Sequence, residues 1–129
     1  MTDRVRARAL GFAPGIFRPG AQNAITDVAG VRVGHATIIA GEATRTGVTA
    51  IIPHPGNVFA ERVPAGLSVI NGYGKLAGAT QLVELGELET PIVLTNTLAV
   101  GRAVEALVDW TLARNPDALS VNAVVGETN

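Results

Sequence analysis

Three short, largely apolar runs constrain this chain more than anything else in it: residues 47–52, 91–94 and 121–125. They are rich in Val and Ile and lack a clean in–out alternation, which suits strands covered on both faces. Only two segments, about residues 75–85 and 98–114, carry apolar residues at helical spacing. Two helices are too few to cover three such strands on both sides. The chain by itself is therefore expected to expose wide apolar surface and to aggregate. Composition agrees, with 47% apolar residues against 16% charged. With three Phe, one Trp and one Tyr, the core must be packed from Val, Ile, Leu, Ala and Gly.

Residues 1–28 hold Pro14, Gly15, Pro19 and Gly20 without a sustained period and read as an arm or loop. Residues 31–39 alternate well enough for a strand that turns at Gly41, and residues 47–52 form the next. Pro53-His-Pro-Gly-Asn57 ends that strand in a loop, and residues 65–70 read as a third, weaker one. A helix is expected over about residues 75–85, with Leu76, Ala79, Thr80 and Val83 on one face and Gly86 as its C-terminal cap. After the strand at residues 91–95, Asn96 or Thr97 can cap a helix over about residues 98–114. Its stripe is Val100, Ala103, Val104, Leu107, Val108, Thr111 and Leu112, and Asn115-Pro116 stops it. Residues 120–125 form the last strand. Strands and helices alternate only in the second half, so the class is α/β or α+β with buried sheets.

Charge excludes several roles. The net charge is −1 and no cationic stripe exists beyond Arg4, Arg6 and Arg8, which argues against nucleic-acid binding. No stretch approaches 18 apolar residues, so no membrane span is expected. The N-terminus has Pro and Gly inside a short apolar run and no small-x-small cleavage site, so it does not read as a signal peptide. A cytoplasmic location is the default. With no Cys, thiolate metal sites and Cys nucleophiles are excluded together.

The remaining chemistry is sparse: two Ser (Ser68, Ser120), two His (His35, His54) and one Lys (Lys75). A side-chain nucleophile needs a base and an oxyanion binder at one point, and no such set is apparent here. Gly72, Gly74 and Gly78 are spaced G-x-G-x-x-x-G, one residue too long for a dinucleotide fingerprint, and no acidic residue ends the next strand. Close strand–helix approach is the better reading, and no cofactor is expected. His35 on a strand face reads as a core residue. His54 stands between two prolines without a spaced ligand, so no metal is expected, and Lys75 reads as solvated. Asn71 and Asn96 stand where a strand meets a helix, as caps or on the rim of a pocket. Glu127 ends a Val-rich strand after a Gly, and a carboxylate there must find a cation, a donor or water. Substrate ligand and N-cap of whatever follows are both open for it.

Four stretches together resemble the aminopeptidase/D-amidase and β-aminopeptidase family, serine hydrolases made as one self-cleaving precursor. They are Gly47-Val-Thr-Ala-Ile-Ile-Pro-His-Pro-Gly-Asn57, Val69-Ile-Asn-Gly-Tyr-Gly-Lys-Leu-Ala-Gly78, Pro91-Ile-Val-Leu-Thr-Asn-Thr97 and Val124-Val-Gly-Glu-Thr-Asn129. They come in the family's order and cover most of residues 25–129. The resemblance implies that residues 29–129 are the N-terminal part of an α-β-β-α sandwich related to the N-terminal-nucleophile hydrolases and completed by a companion chain. It implies that self-cleavage frees a Ser at the start of that companion. The Ser attacks, and its own α-amine, with a pKa of about 8, serves as base. No catalytic residue is then expected in this chain. Glu127 takes the place of the family's carboxylate for the substrate's free amine, and Asn71, Gly72 and Tyr73 match a turn near its pocket. The family's larger chain runs on past this point, so the ending at Asn129 implies an extra cut, a split gene product or a deliberate shortening.

The expected function is thus the N-terminal fragment of an amidohydrolase that removes N-terminal residues, β- or D-amino among them, from small peptides, amides or esters. It would work within a higher oligomer. The rival is a non-catalytic module whose apolar surface completes a partner's sheet. A hydrolase fragment must co-purify with a second chain that begins with Ser or Thr.

Overall fold

The computed structural model describes residues 4–128. Residues 4–31 are almost wholly exposed and hold two short 3-10 turns, Ala7–Leu10 and Ile25–Asp27. Asp27 organises the second turn by accepting from the backbone N–H groups of Gln22 and Ala24, at 2.9 and 3.0 Å. Strands β1 (Arg32–Ala40) and β2 (Thr44–Ile52) then form a long antiparallel hairpin. A two-stranded ribbon pairs β3 (Val63–Pro64) with β5 (Glu87–Leu88). The rest of the fold comprises β4 (Leu76–Ala77), α1 (Ala79–Leu85), β6 (Ile92–Thr95), α2 (Val100–Leu112) and β7 (Val124–Glu127).

The main sheet has the order β1-β2-β6-β7-β4 and is mixed: β6 and β7 run parallel, and the other pairs are antiparallel. Helix α2 is the crossover between the parallel strands, as such a connection requires. Its buried residues Val100, Leu107 and Thr111 lie on the expected stripe. Val100 and Leu107 pack with Val93, Ala123 and Val125 on one face of the sheet. On the opposite face Leu82 of α1 and Leu88 of the ribbon close over Val124, with Leu76 and Ile92 at the edge. Strands β6 and β7 are therefore covered on both sides, in keeping with their unalternating apolar runs.

The hairpin is not. Ile38 and Ile39 are 58% and 67% exposed, and no residue of β2 is fully buried. Between β2 and α2 an apolar cleft of roughly 240 Å³ is lined by Val48, Ala50, Val93, Leu107 and Trp110. The chain's accessible area is 9583 Å². A compact monomer of this mass would expose about 6,400 Å². The surplus comes from the almost wholly exposed residues 4–31 together with the hairpin face that the run at residues 47–52 foretells, a sheet half covered by its own helices.

Five expectations need correction. Residues 65–70 form no strand; Ala65 and Leu67 instead pack in coil against the α1 cluster, and the Ala65 N–H donates to the Gly86 carbonyl at 2.8 Å. The first helix begins at Ala79, not near Lys75, because Leu76–Ala77 pair with Val125 and Gly126 of β7. Gly78 makes this change of direction at φ +79°, where a Cβ would meet the Ala123 carbonyl oxygen at 2.7 Å. The helix then buries Leu82 and leaves Val83 69% exposed, so its inner face differs from the expected one. The last strand is Val124–Glu127; residues 120–123 run in as coil, held where Glu89 accepts from the Asn122 backbone and side-chain N–H groups. His35 is exposed and not in a core, with Nδ1 2.8 Å from the Thr49 hydroxyl. By contrast Gly86 does cap α1, and Asn96 caps the entry to α2 by accepting from the Leu98 and Ala99 N–H groups.

Candidate functional site

The carboxyl ends of adjacent parallel strands are where open α/β sheets gather ligand groups. Here the register sets Thr95 of β6 beside Glu127 of β7. One residue past Asn96, the chain turns into a 3-10 segment, Thr97–Ala99, that leads into α2. This turn points the Thr97 hydroxyl at Glu127, and it donates to Oε1 at 2.7 Å. From the other side, the segment leading into β4 pairs with β7, and the Glu127 N–H donates to the Lys75 carbonyl at 2.9 Å. That pairing brings the Lys75 backbone N–H and its Nζ each to 3.1 Å from Oε2. The Glu127 side chain is 7% exposed, whereas that of Lys75 is 60% exposed.

Three donors on an enclosed carboxylate favour its charged form. The Thr97 hydroxyl contributes most, then the Lys75 N–H and the Lys75 ammonium; partial burial opposes them, and the result holds the Glu127 pKa down at about 2. A depressed carboxyl pKa stabilises the fold above its ordinary value of 4.5, and that contribution is lost as pH falls through about 2. The carboxyl ¹³C shift of Glu127 should accordingly show an ionised group down to about pH 3, and Thr97→Val should raise its midpoint. A midpoint near 4.5 in the unaltered protein would show that the three donors do not hold the group.

The Glu127 contacts come from elements 30 and 52 residues upstream. Oε2 takes two donors and Oε1 takes one, so Oε1 keeps acceptor capacity among the described residues. Such a group can take a cation or a hydrogen-bond donor.

The other expected site residues lie on the loop just before Lys75. Asn71 Oδ1 accepts from the Tyr73 N–H at 3.0 Å, closing a tight turn around Gly72. Tyr73 is 92% exposed. None of the three bonds Glu127, but Gly74 brings the loop against it: a Cβ at Gly74 would sit 3.7 Å from the Glu127 Cβ. Two site residues escaped sequence reasoning. Lys75 reads as solvated, and its side chain is 60% exposed, but sequence does not pair it with Glu127; Thr97 reads only as a helix cap. The cue for both was their place in the same short blocks that carry Asn71 and Asn96.

No nucleophile and base come together among the described residues. Ser68 and Ser120 are exposed. His54 is spent on its own loop: Nε2 lies 2.8 Å from the Glu61 carbonyl oxygen, and Nδ1 accepts from the Gly56 N–H. Among the same residues no group of three His, Asp or Glu is placed to hold a metal ion, and no helix is long and apolar enough to cross a membrane.

Comparison with known proteins agrees with this architecture. The chain is 45% identical over 121 residues to beta-peptidyl aminopeptidase BapA of Sphingosinicella xenopeptidilytica, covering 87% of this chain and 29% of that protein. It thus spans under a third of the curated relative's length. Its structure resembles the PH0078 protein of Pyrococcus horikoshii OT3, with a TM-score of 0.90 and 51% identity over 97% of this chain and 39% of that one. It also resembles the L-aminopeptidase D-Ala-esterase/amidase of Ochrobactrum anthropi, a variant of the Ntn hydrolase fold, with a TM-score of 0.78 and 38% identity over 95% of this chain and 37% of that one. The mixed α/β fold expected from the resemblance is therefore the one present. The sequence profile of Peptidase family S58 matches residues 23–129, and the chain belongs to that family.

Proposed function

We propose that this chain is part of an aminopeptidase-type amidohydrolase that releases N-terminal residues from small peptides, amides or esters, and that Glu127 receives the substrate's free ammonium group. The relatives include a beta-peptidyl aminopeptidase and an L-aminopeptidase D-Ala-esterase/amidase. One observation carries the reading: a carboxylate kept ionised, 7% exposed, at the carboxyl end of a parallel strand, with one oxygen still able to accept. A substrate amine enters as an ammonium ion and loses water, and a fixed carboxylate replaces that water with a charge-assisted hydrogen bond. The exposed Tyr73 and the Asn71–Gly72 turn would form the near wall of the pocket.

The nucleophile belongs on a companion chain in this proposal, as a Ser whose own α-amine draws off the proton during attack on the acyl carbon. Companion segments would also cover the hairpin and the apolar cleft beside α2, the apolar surface that this chain leaves open. Purification should therefore yield this chain together with a second polypeptide whose first residue is Ser or Thr, read by intact mass and N-terminal sequencing. The assembly should hydrolyse 4-nitroanilides of β-alanine, L-alanine or D-alanine. Expressed alone, the chain should aggregate. A monodisperse monomer with a cooperative melt would favour the rival view of a self-sufficient binding module.

A further inference from the structure

The three donors on Glu127 are not equivalent. Two are neutral and short-tethered: the Thr97 hydroxyl on Oε1 and the Lys75 backbone N–H on Oε2. They fix the carboxylate without neutralising it. The third is a full charge on a long stem, the Lys75 ammonium on Oε2, and that side chain is 60% exposed. Glu127 itself is enclosed, but the ammonium end of the pair faces solvent, where screening weakens its hold and lets it exchange. Orientation and charge compensation are thus supplied by different groups, and only the second can leave without moving the carboxylate.

We propose that Lys75 is a specificity-determining residue whose ammonium is the resident cation of Glu127 and gives way to the ammonium of an arriving substrate. The inference rests on Glu127 as the amine ligand. Two ammonium groups on the two oxygens of one carboxylate would stand on the order of 5 Å apart, a separation at which like charges disfavour each other. A substrate amine therefore competes with Lys75 for Glu127. Lys75 keeps the empty site neutral, and it weakens the hold on any amine that reaches the carboxylate poorly. The exposed stem has solvent to swing into, while the Lys75 N–H stays on Oε2.

The test uses the assembled enzyme, with the 4-nitroanilide of β-alanine and its N-acetylated analogue as probes. Lys75→Met removes the charge but keeps the backbone donor. It should lower KM for the free amine at least about threefold, moving KM more than kcat, and leave the N-acetylated analogue unmoved. Lys75→Arg, which restores the charge, should return KM to near its original value. If Lys75 were instead a clamp that holds Glu127 in place, Lys75→Met would raise KM or lower kcat, and the inference would be overturned. An unchanged KM overturns it equally. Should Lys75→Met not assemble, Lys75→Gln carries the same expectation; failure of both neutral variants while Lys75→Arg assembles would mark Lys75 as structural. Glu127→Gln separates this from the underlying reading. Selective loss on the free amine with no effect of Lys75→Met removes only the role of Lys75, whereas equal loss on both probes removes the amine site itself.

Discussion

Leu107→Ala is expected to destabilise the assembled protein by about 2–5 kcal/mol, the range for Leu→Ala in cores. Leu107 is 6% exposed and sits midway along the α2 stripe, packed with Val93 and Val125 of the parallel strands. Removing its side chain takes apolar atoms out of the contact that holds the crossover helix on the sheet. Glu105→Ala, on the exposed side of the same helix, should cost less than about 0.5 kcal/mol. Urea midpoints of the two variants measured under one condition decide the matter. Similar shifts would mean that α2 does not present this face to the sheet.

How far such structure can be read from sequence depends on whether its cause is local. Helix α2, its stripe and its Asn96 cap are set by residues three or four apart, so periodicity and cap chemistry locate them. The Gly86 cap of α1 is local in the same way. Strands β6 and β7 announce themselves by apolar runs that only a doubly covered strand tolerates. Where pairing is remote, local signals mislead. Leu76 shares helical spacing with Thr80 and Val83, yet β7, about fifty residues further on, draws Leu76–Ala77 into the sheet, and Gly78 starts the helix late. A lone His on a strand face reads as buried, but His35 lies on a hairpin that this chain does not cover.

The candidate site divides along the same line. Glu127 is legible because a carboxylate that ends an apolar strand demands a partner wherever the strand goes. Its partners are not legible by spacing. Thr97 meets it only because β6 and β7 are parallel with Thr95 beside Glu127, and Lys75 only because the β4 segment pairs with the far edge of β7. The two donors that most define the electrostatics of the carboxylate are therefore products of sheet order.

Glu127→Gln should lower kcat/KM for free-amine substrates at least about tenfold in the assembled enzyme, the size expected for losing a charge-assisted contact to the substrate. The replacement is close in shape and retains one oxygen to accept from Thr97 or from the Lys75 N–H. Its amide nitrogen then faces the remaining donor and offers no charge to an incoming ammonium. An ammonium that has lost its water gains little from a neutral amide, whereas an N-acetylated substrate brings no positive charge and never drew on the carboxylate. Activity on the N-acetylated 4-nitroanilide should consequently change much less than activity on the free amine. The pH dependence sharpens the distinction. With its pKa held at about 2, Glu127 is ionised throughout the range in which an enzyme of this kind can be assayed, so the wild-type profile should show no acid limb from this group. The variant should lower the profile for the free amine without displacing its acid side. Equal losses on both substrates, with folding and assembly intact, would assign Glu127 to the scaffold, where its bonds to Thr97 and Lys75 tie the ends of β6 and β4 to β7.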